Sequence, residues 1–588
     1  MLRQESRSPY IVKNSTGYPL ILWTDQTATS RLQPDLVRLE DGHSIDWRFE
    51  DWKTVRERTA PTPNRFAVQI EGPSWETLKG VYVDREGSCT YTLRPAIDNI
   101  LHRLVVDVEL EDKVKLVTFR SAKMIENSSK VEIEVAFTRS TTEKKPKTVK
   151  ILPGKKYPIP IESSYHDSIY VRPAGFGYRW SMQGIHWRDL VGKKRIREYL
   201  VHCAGQENTI PNFYFQLNCL FTGQQTDYPE LNMRFLAPFV LENLLPFDIR
   251  YVIQDKVSRQ QHTGILKKGT KEFLHTLDPS HLLALSIAIE EKGLKQKESV
   301  IITSTDLEYR DEQLALYDSS ENQLTMRIVY TDSRQSGRIV TLVCPYWIIN
   351  KTGSDLQFSA KSLLSSNRLT AGQNVPQIHN TVKIDPIMFS YSTLEPLRSR
   401  AMIKMSDSEW SKPVSFEAVG SDYMVNIPSI GGKDALLGID VQEGKGKYHL
   451  SKVVTIVPRF MLRNKLDCDL SYAQAGVLTP KLLKPGQIIP LMKLVTNPEH
   501  DDYHMCVRFS TMLGAWSNPF SLTQIGNIYL KLGKIGSLTE DLIRVDITNE
   551  KACIFITFSM ETGSWPFRIE SNVDIDVNYS QSVFLFLK

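Results

Sequence analysis

Pro9-Tyr10-Ile11-Val12-Lys13-Asn14-Ser15-Thr16-Gly17-Tyr18-Pro19-Leu20-Ile21-Leu22 sets the pattern that governs the chain. An apolar strand runs into an asparagine and a polar turn follows. Tyr18, Leu20 and Leu22 then stand four, six and eight residues beyond Asn14. The same offsets give Val131, Ile133 and Val135 after Asn127, and Phe247, Ile249 and Tyr251 after Asn243. They also give Ser354, Leu356 and Phe358 after Asn350, and Cys468, Leu470 and Tyr472 after Asn464. Alternation at period two marks half-buried strands, because successive side chains point to opposite faces of a sheet. The asparagines lie 113, 116, 107 and 114 residues apart, and about 100 residues is the size of one β-sandwich.

A second landmark accompanies the first. Trp75 and Trp187 follow their asparagines by 61 and 60 residues, Trp410 and Trp516 by 60 and 52. The third module has no such tryptophan. Module ends read as hairpins running into the next copy, as in Leu437–Gln442, the turn Glu443-Gly444-Lys445-Gly446 and Tyr448–Val454, with glycine supplying the positive φ of a tight turn. No linker or low-complexity stretch separates the copies. The expected fold is all-β: a tandem array of five complete β-sandwich modules and the start of a sixth, forming an elongated or curved rod whose main contacts are between neighbours. The expected modules span 1–115, 116–236, 237–342, 343–455 and 456–563, with a truncated sixth at 564–588. In that last unit Ser571 takes the asparagine position, which puts Ile575, Val577 and Tyr579 at the apolar offsets.

The chain has 588 residues, 24% charged and 41% hydrophobic, as folded soluble domains do. A net charge of +5 is too small to draw it onto nucleic acid. The seven cysteines are far apart with no C-x-x-C pair, which suits free thiols in a reducing compartment. The charged opening Met1-Leu2-Arg3-Gln4-Glu5 is not expected to be a signal peptide. No apolar run reaches the roughly 18 residues of a membrane-spanning helix, so any membrane association is expected to be peripheral or through a partner.

The repeated asparagine strand resembles the adaptor-binding region of the vacuolar protein sorting thirteen family, the chorein-type bridge-like lipid-transfer proteins, and the resemblance runs from Pro9 to Lys588. It implies β-sandwich repeats that dock short Pro-x-Pro peptides of organelle adaptors and so direct a lipid-transfer protein to membrane contact sites. It also implies a cytoplasmic, peripheral location, no cofactor, and the rest of a lipid-transfer protein as a partner. Nothing here matches the chorein conduit. In the family the end modules are tied to adaptor binding, which points to Asn14, to Asn464 and, in the sixth copy, to Ser571.

An asparagine amide holds one acceptor and two donors and tolerates left-handed backbone. Asn14, Asn127, Asn243, Asn350 and Asn464 could hold the following turn or offer an amide to a peptide backbone. The turn is favoured, since a fold-building group recurs in every copy and a ligand site need not. Three of these asparagines open N-x-S/T sequons, but Asn243 and Asn464 do not, so turn formation explains the repeat and glycosylation does not. One tryptophan per sandwich is expected in the core rather than in a cradle for proline rings. A peptide site is better sought at a strand edge or in a groove between modules. The lysine run Lys144-Lys145-Pro146-Lys147 with Lys150, Lys155 and Lys156 reads as an exposed hairpin tip rather than a membrane contact. His500, Asp501, Asp502 and His504 read as a solvated loop rather than a metal site. No H-E-x-x-H, G-x-S-x-G or P-loop occurs; Gly175-Phe176-Gly177 is only a fragment of a dinucleotide fingerprint. A non-catalytic binding scaffold is therefore expected.

Overall fold

A parallel strand pair cannot be joined by a tight turn and needs a crossover. That constraint shapes every copy of the repeat. The computed structural model describes residues 8–25, 35–49, 64–139, 146–175, 177–191, 197–207, 209–222, 228–303, 311–333, 337–360, 385–391, 400–420, 422–429, 432–477, 479–495, 503–510, 516–533, 540–561 and 570–575. In the first module the asparagine strand Tyr10–Ser15 lies between Ser44–Trp47, antiparallel, and the module's last strand Val114–Ser121, parallel. Lys123–Asn127 sits likewise between Lys156–Pro158 and Glu230–Leu236, and Phe239–Asn243 between Lys271–Leu274 and Gly337–Val343. Tyr346–Asn350 lies between Ile387–Phe389 and Lys452–Pro458, and Phe460–Asn464 between Ile488–Leu491 and Cys553–Met560. Each asparagine faces an apolar residue of the closing strand: Phe119, Phe235, Leu342, Ile456 and Phe558.

The residues between the two parallel strands supply the second sheet. In the fifth module the five-stranded asparagine sheet packs with a four-stranded sheet of Lys481–Leu483, Leu470–Gln474, His504–Phe509 and Phe520–Ser521. The third module differs. There Leu294–Gln296 pairs with both Leu283–Ile289 and Asp311–Tyr317, so the two sheets become one. The residues at offsets six and eight, Leu20 and Leu22, Ile133 and Val135, Ile249 and Tyr251, Leu356 and Phe358, Leu470 and Tyr472, all point into their own cores. The chain is all-β with sandwich-like sheets, as the alternation predicts.

The modules abut with one or two residues between strands: Ala122, Ala237-Pro238, Cys344-Pro345 and Arg459. Their cores also interlock. Ile161 of the second module completes the core of the first, Met388 of the fourth that of the third, and Leu436 of the fourth that of the fifth. Between the second and third modules His275 stacks on Phe213 at 4.4 Å; its carbonyl accepts from the Tyr214 amide at 2.7 Å and its ring Nδ1 lies 2.9 Å from the Tyr214 carbonyl. At the first junction Arg120, 5% exposed, forks onto Asp107 of its own module and reaches Glu230 of the next at 2.8 Å.

Two local expectations are corrected. Asp434–Glu443 and Lys452–Pro458 do pair, with Glu443 opposite Lys452, but residues 444–451 form a longer loop containing a 3-10 turn at Gly446–Tyr448. Tyr448–Ser451 is therefore not strand; Gly444 donates to the Ser451 carbonyl and closes the loop there. In the sixth unit Ser571 lies in an exposed irregular segment and Ile575 is 74% exposed, while Val577 and Tyr579 fall outside the described residues.

At the fourth junction Gly438 faces the Ala552 carbonyl so closely that an added Cβ would lie 2.0 Å from its oxygen. Backbone cannot step aside cheaply, and overpacking of this kind costs about 1–3 kcal/mol. Gly438→Ala is expected to lower the unfolding midpoint in thermal melts of the whole chain. An unchanged melt would mean that the two modules do not meet there.

Candidate functional site

A buried primary amide is tolerable only if its donors and acceptor all find partners. The five repeat asparagines are each at most 1% exposed, and four of them meet that demand in one common way. Nδ2 of Asn14 donates to the Tyr18 carbonyl at 2.8 Å and to Leu39 at 2.9 Å, while Oδ1 accepts from the Thr16 amide and hydroxyl. Asn127 does the same with Val131, Ile151 and Ser129. Asn243 uses Phe247, Leu266 and the Leu245 amide, and Asn464 uses Cys468, Leu483 and the Leu466 amide. Asn350 holds Ser354 and Thr352. The offset-four carbonyl is thus the donor's target in every copy. The sequon hydroxyls of Thr16, Ser129 and Thr352 are turned onto the asparagine oxygen.

A glycine completes this corner and leaves its own signal in the sequence. Gly42, Gly154, Gly269 and Gly486 each donate their amide to the asparagine's own carbonyl, at 2.7–2.9 Å, and each has φ between 69° and 80°. Only glycine adopts that backbone at little cost. The pattern is a glycine 22–28 residues after the asparagine.

The tryptophans sort differently from the expectation. Trp75 and Trp187 are buried, but Trp410 is half-buried and Trp516 is 36% exposed. The counterpart of Trp410 and Trp516 in the second module is Trp180 rather than Trp187. In all three copies the tryptophan precedes a buried serine whose amide donates at 2.9 Å to a strand residue, Val171, Ile403 or Val507. The serine oxygen accepts that residue's amide in return. The next residue along that strand lays a cation over the ring: Arg172 on Trp180, Lys404 on Trp410 and Arg508 on Trp516. In the third module the Gln296 side chain replaces the serine oxygen, accepting from the Ile287 amide at 3.0 Å. Trp187 instead sits on the short helix Trp187–Val191 and donates Nε1 to the Tyr165 carbonyl at the first junction.

That junction holds an unusual cation. Lys123, 1% exposed, donates to the Ser164 carbonyl at 2.7 Å, and its ammonium lies 3.3 Å from the Tyr165 ring centroid and 4.0 Å from that of Trp187. Burial, followed by the nearby Arg188, holds its pKa well below the usual lysine value. His102 in the same cluster is pushed down to about 4 by burial. Of the surface lysine run, Lys147 and Lys150 lie on Lys147–Ile151, paired with Ile133–Thr138; Lys144 and Lys145 are outside the described residues. His504 begins the strand His504–Phe509, whereas His500, Asp501 and Asp502 are outside the described residues. No group of metal-ligating side chains occurs among the described residues, and none of their helices is long and apolar enough to cross a membrane.

At the fourth junction the outer face opens into a groove of about 370 Å³, floored by Val457, Pro458, Met461 and Phe555, with Cys553 beside them. Burial pushes the Cys553 thiol up to about 12, so it is neutral and apolar in character.

Serial sandwiches with self-satisfied amide corners, interlocked cores and an apolar groove at a junction define a tandem β-sandwich scaffold. The family described as vacuolar-sorting associated protein 13, adaptor binding domain, matches residues 51–583, and the chain belongs to that family. It is 33% identical to an intermembrane lipid transfer protein VPS13 of Chaetomium thermophilum, over 98% of this chain and 18% of that protein. It is 24% identical to human intermembrane lipid transfer protein VPS13D, over 98% of this chain and 15% of the relative. The chain therefore spans less than a fifth of the length of these relatives.

Removing an amide from a buried corner leaves carbonyls unsatisfied, at about 1–3 kcal/mol. Asn127→Ala is expected to lower stability in denaturant titrations by that order. Asn127→Asp should lower it further, because a carboxylate offers no N–H to Val131 or Ile151. Equal stability of wild type and Asn127→Asp would refute the donor role.

At the first junction the native state binds fewer protons at Lys123 than the unfolded chain does. Stability is thus expected to rise as pH climbs from the lowered native pKa towards the ordinary lysine value. Lys123→Met should flatten that rise in denaturation series across alkaline pH while preserving the fold.

Proposed function

We infer that this chain is a non-catalytic scaffold that docks short Pro-x-Pro peptides of organelle membrane adaptors, targeting a bridge-like lipid-transfer protein to membrane contact sites. The observation that carries the reading is membership, over residues 51–583, of a family described as an adaptor binding domain. The relatives' designation as intermembrane lipid transfer proteins supports the wider role. The physical layout is compatible with it. An extended proline-containing peptide needs flat apolar contacts and few backbone donors, since proline lacks an N–H and is already stiff before binding. Grooves between sandwiches meet that need, as do sheet edges.

A second reading, a spacer of sandwiches with no ligand of its own, draws on the corner geometry. Every described bonding group of the repeat asparagines is spent on the module's own backbone and hydroxyls. Under either reading Asn14 and Asn464 act on a ligand only through the shape of their corners. Ser571, exposed and in no strand, has no comparable corner among the described residues.

Pull-down with an immobilised Pro-x-Pro peptide, against the same peptide with alanines for prolines, separates the readings. Docking predicts retention on the proline peptide alone. Equal retention on both would reject proline-directed docking, and retention on neither would leave the spacer.

A further inference from the structure

Strand residues that face outward from a sandwich are ordinarily polar, because that face meets water. At the fourth junction they are not. Val457 at the end of one module's closing strand, and Met461 and Phe555 on the first and last strands of the next, all face outward and are half-buried. Met461 and Phe555 stand directly opposite each other in the parallel pair, and Pro458 fills the corner between the modules. A volume of about 370 Å³ lies within the range of sites that hold small ligands or a few side chains.

Cations outnumber carboxylates in and beside this apolar floor, two lysines in its lining and two arginines packed on residues next to it. Lys351 and Lys551 line the groove against a single carboxylate, Glu550. Arg463 lies over the Phe555 ring, 4.8 Å from its centroid, and Arg459 spends one terminal nitrogen on the Ala552 carbonyl beside Cys553. Lys551 is matched by Asp440 at 3.3 Å. Among the described residues Lys351, Arg459 and Arg463 have no carboxylate in ion-pair range, and the Nε atoms of both arginines are buried without a hydrogen-bond partner. Guanidinium groups pair best with planar carboxylates, which take two parallel N–H bonds.

We propose that the groove between the fourth and fifth modules docks an acidic extended peptide, one apolar side chain of which enters between Val457, Met461 and Phe555 while its carboxylates meet Lys351, Arg459 and Arg463. The proposal rests on the peptide-docking reading above and adds to it a location and a charge preference. A peptide fits better than an anionic membrane surface. A lipid headgroup layer is met by cations on a convex, fully exposed face, whereas the two arginines here are half-buried around a cleft of side-chain size.

The test uses the whole chain and three labelled peptides read by fluorescence anisotropy. One has a Pro-x-Pro core flanked by Asp and Glu, the second carries Asn and Gln in their place, and the third carries Lys flanks. Phosphatidylcholine–phosphatidylserine vesicles form a further arm. Wild type should bind the acidic peptide about 10-fold more tightly than the amide peptide, the scale expected for charge complementarity at a rim. The double variant Lys351→Glu/Arg463→Glu should reverse the order and gain the Lys-flanked peptide, an outcome that misfolding cannot produce. Met461→Ser should weaken the acidic and the amide peptide alike. Equal binding of acidic and amide peptides, or acidic binding indifferent to all these variants, would overturn the groove while leaving peptide docking intact. Failure of every Pro-x-Pro peptide to bind wild type would remove the docking reading itself. Vesicle capture lost in the double variant, without peptide binding, would assign the groove to a lipid surface instead.

Discussion

One primary amide per module, sealed from water, fixes where the chain turns. Its two N–H groups tie the carbonyl four residues ahead to a carbonyl on the strand that returns, and its oxygen holds the amide two residues ahead. Three segments are thus pinned at one point, and after Asn14, Asn127, Asn243 and Asn464 a glycine locks the return through the asparagine's own carbonyl. Because a half-satisfied buried amide costs more than an apolar replacement, the group is useful only when the surrounding fold is complete. The modules therefore share a corner while their loops differ freely.

Much of this was legible in the residues. Period-two alternation after each asparagine locates strands whose inward residues lie in separate cores. Less was legible where loop length intervened. Distance along the chain points to Trp187, yet Trp180 occupies the equivalent place, because the signal is the tryptophan–serine pair and its bonds across the sheet rather than a residue count. The core reading of the tryptophans failed at Trp516 for a related reason: a cation from the adjacent strand can cover an indole as a neighbouring side chain would.

The junctions were the least legible part. That neighbours touch followed from the absence of linkers, but no pattern in one dimension places Ile161 in the preceding module's core or brings Lys123 between Tyr165 and Trp187. Nor does it bring Val457, Met461 and Phe555 to one groove, since two of them are nearly a hundred residues apart. These contacts arise from the angle at which consecutive sandwiches meet. At the fourth junction that angle opens a concave surface.

The first and last strands of every module run side by side in the same direction. The chain consequently enters a module at one end of that ladder and leaves it at the other. A pull along the polypeptide loads the ladder lengthwise. Its hydrogen bonds must then slip together instead of parting one by one. Mechanical resistance is in this way built into each copy by the order in which its strands are laid down.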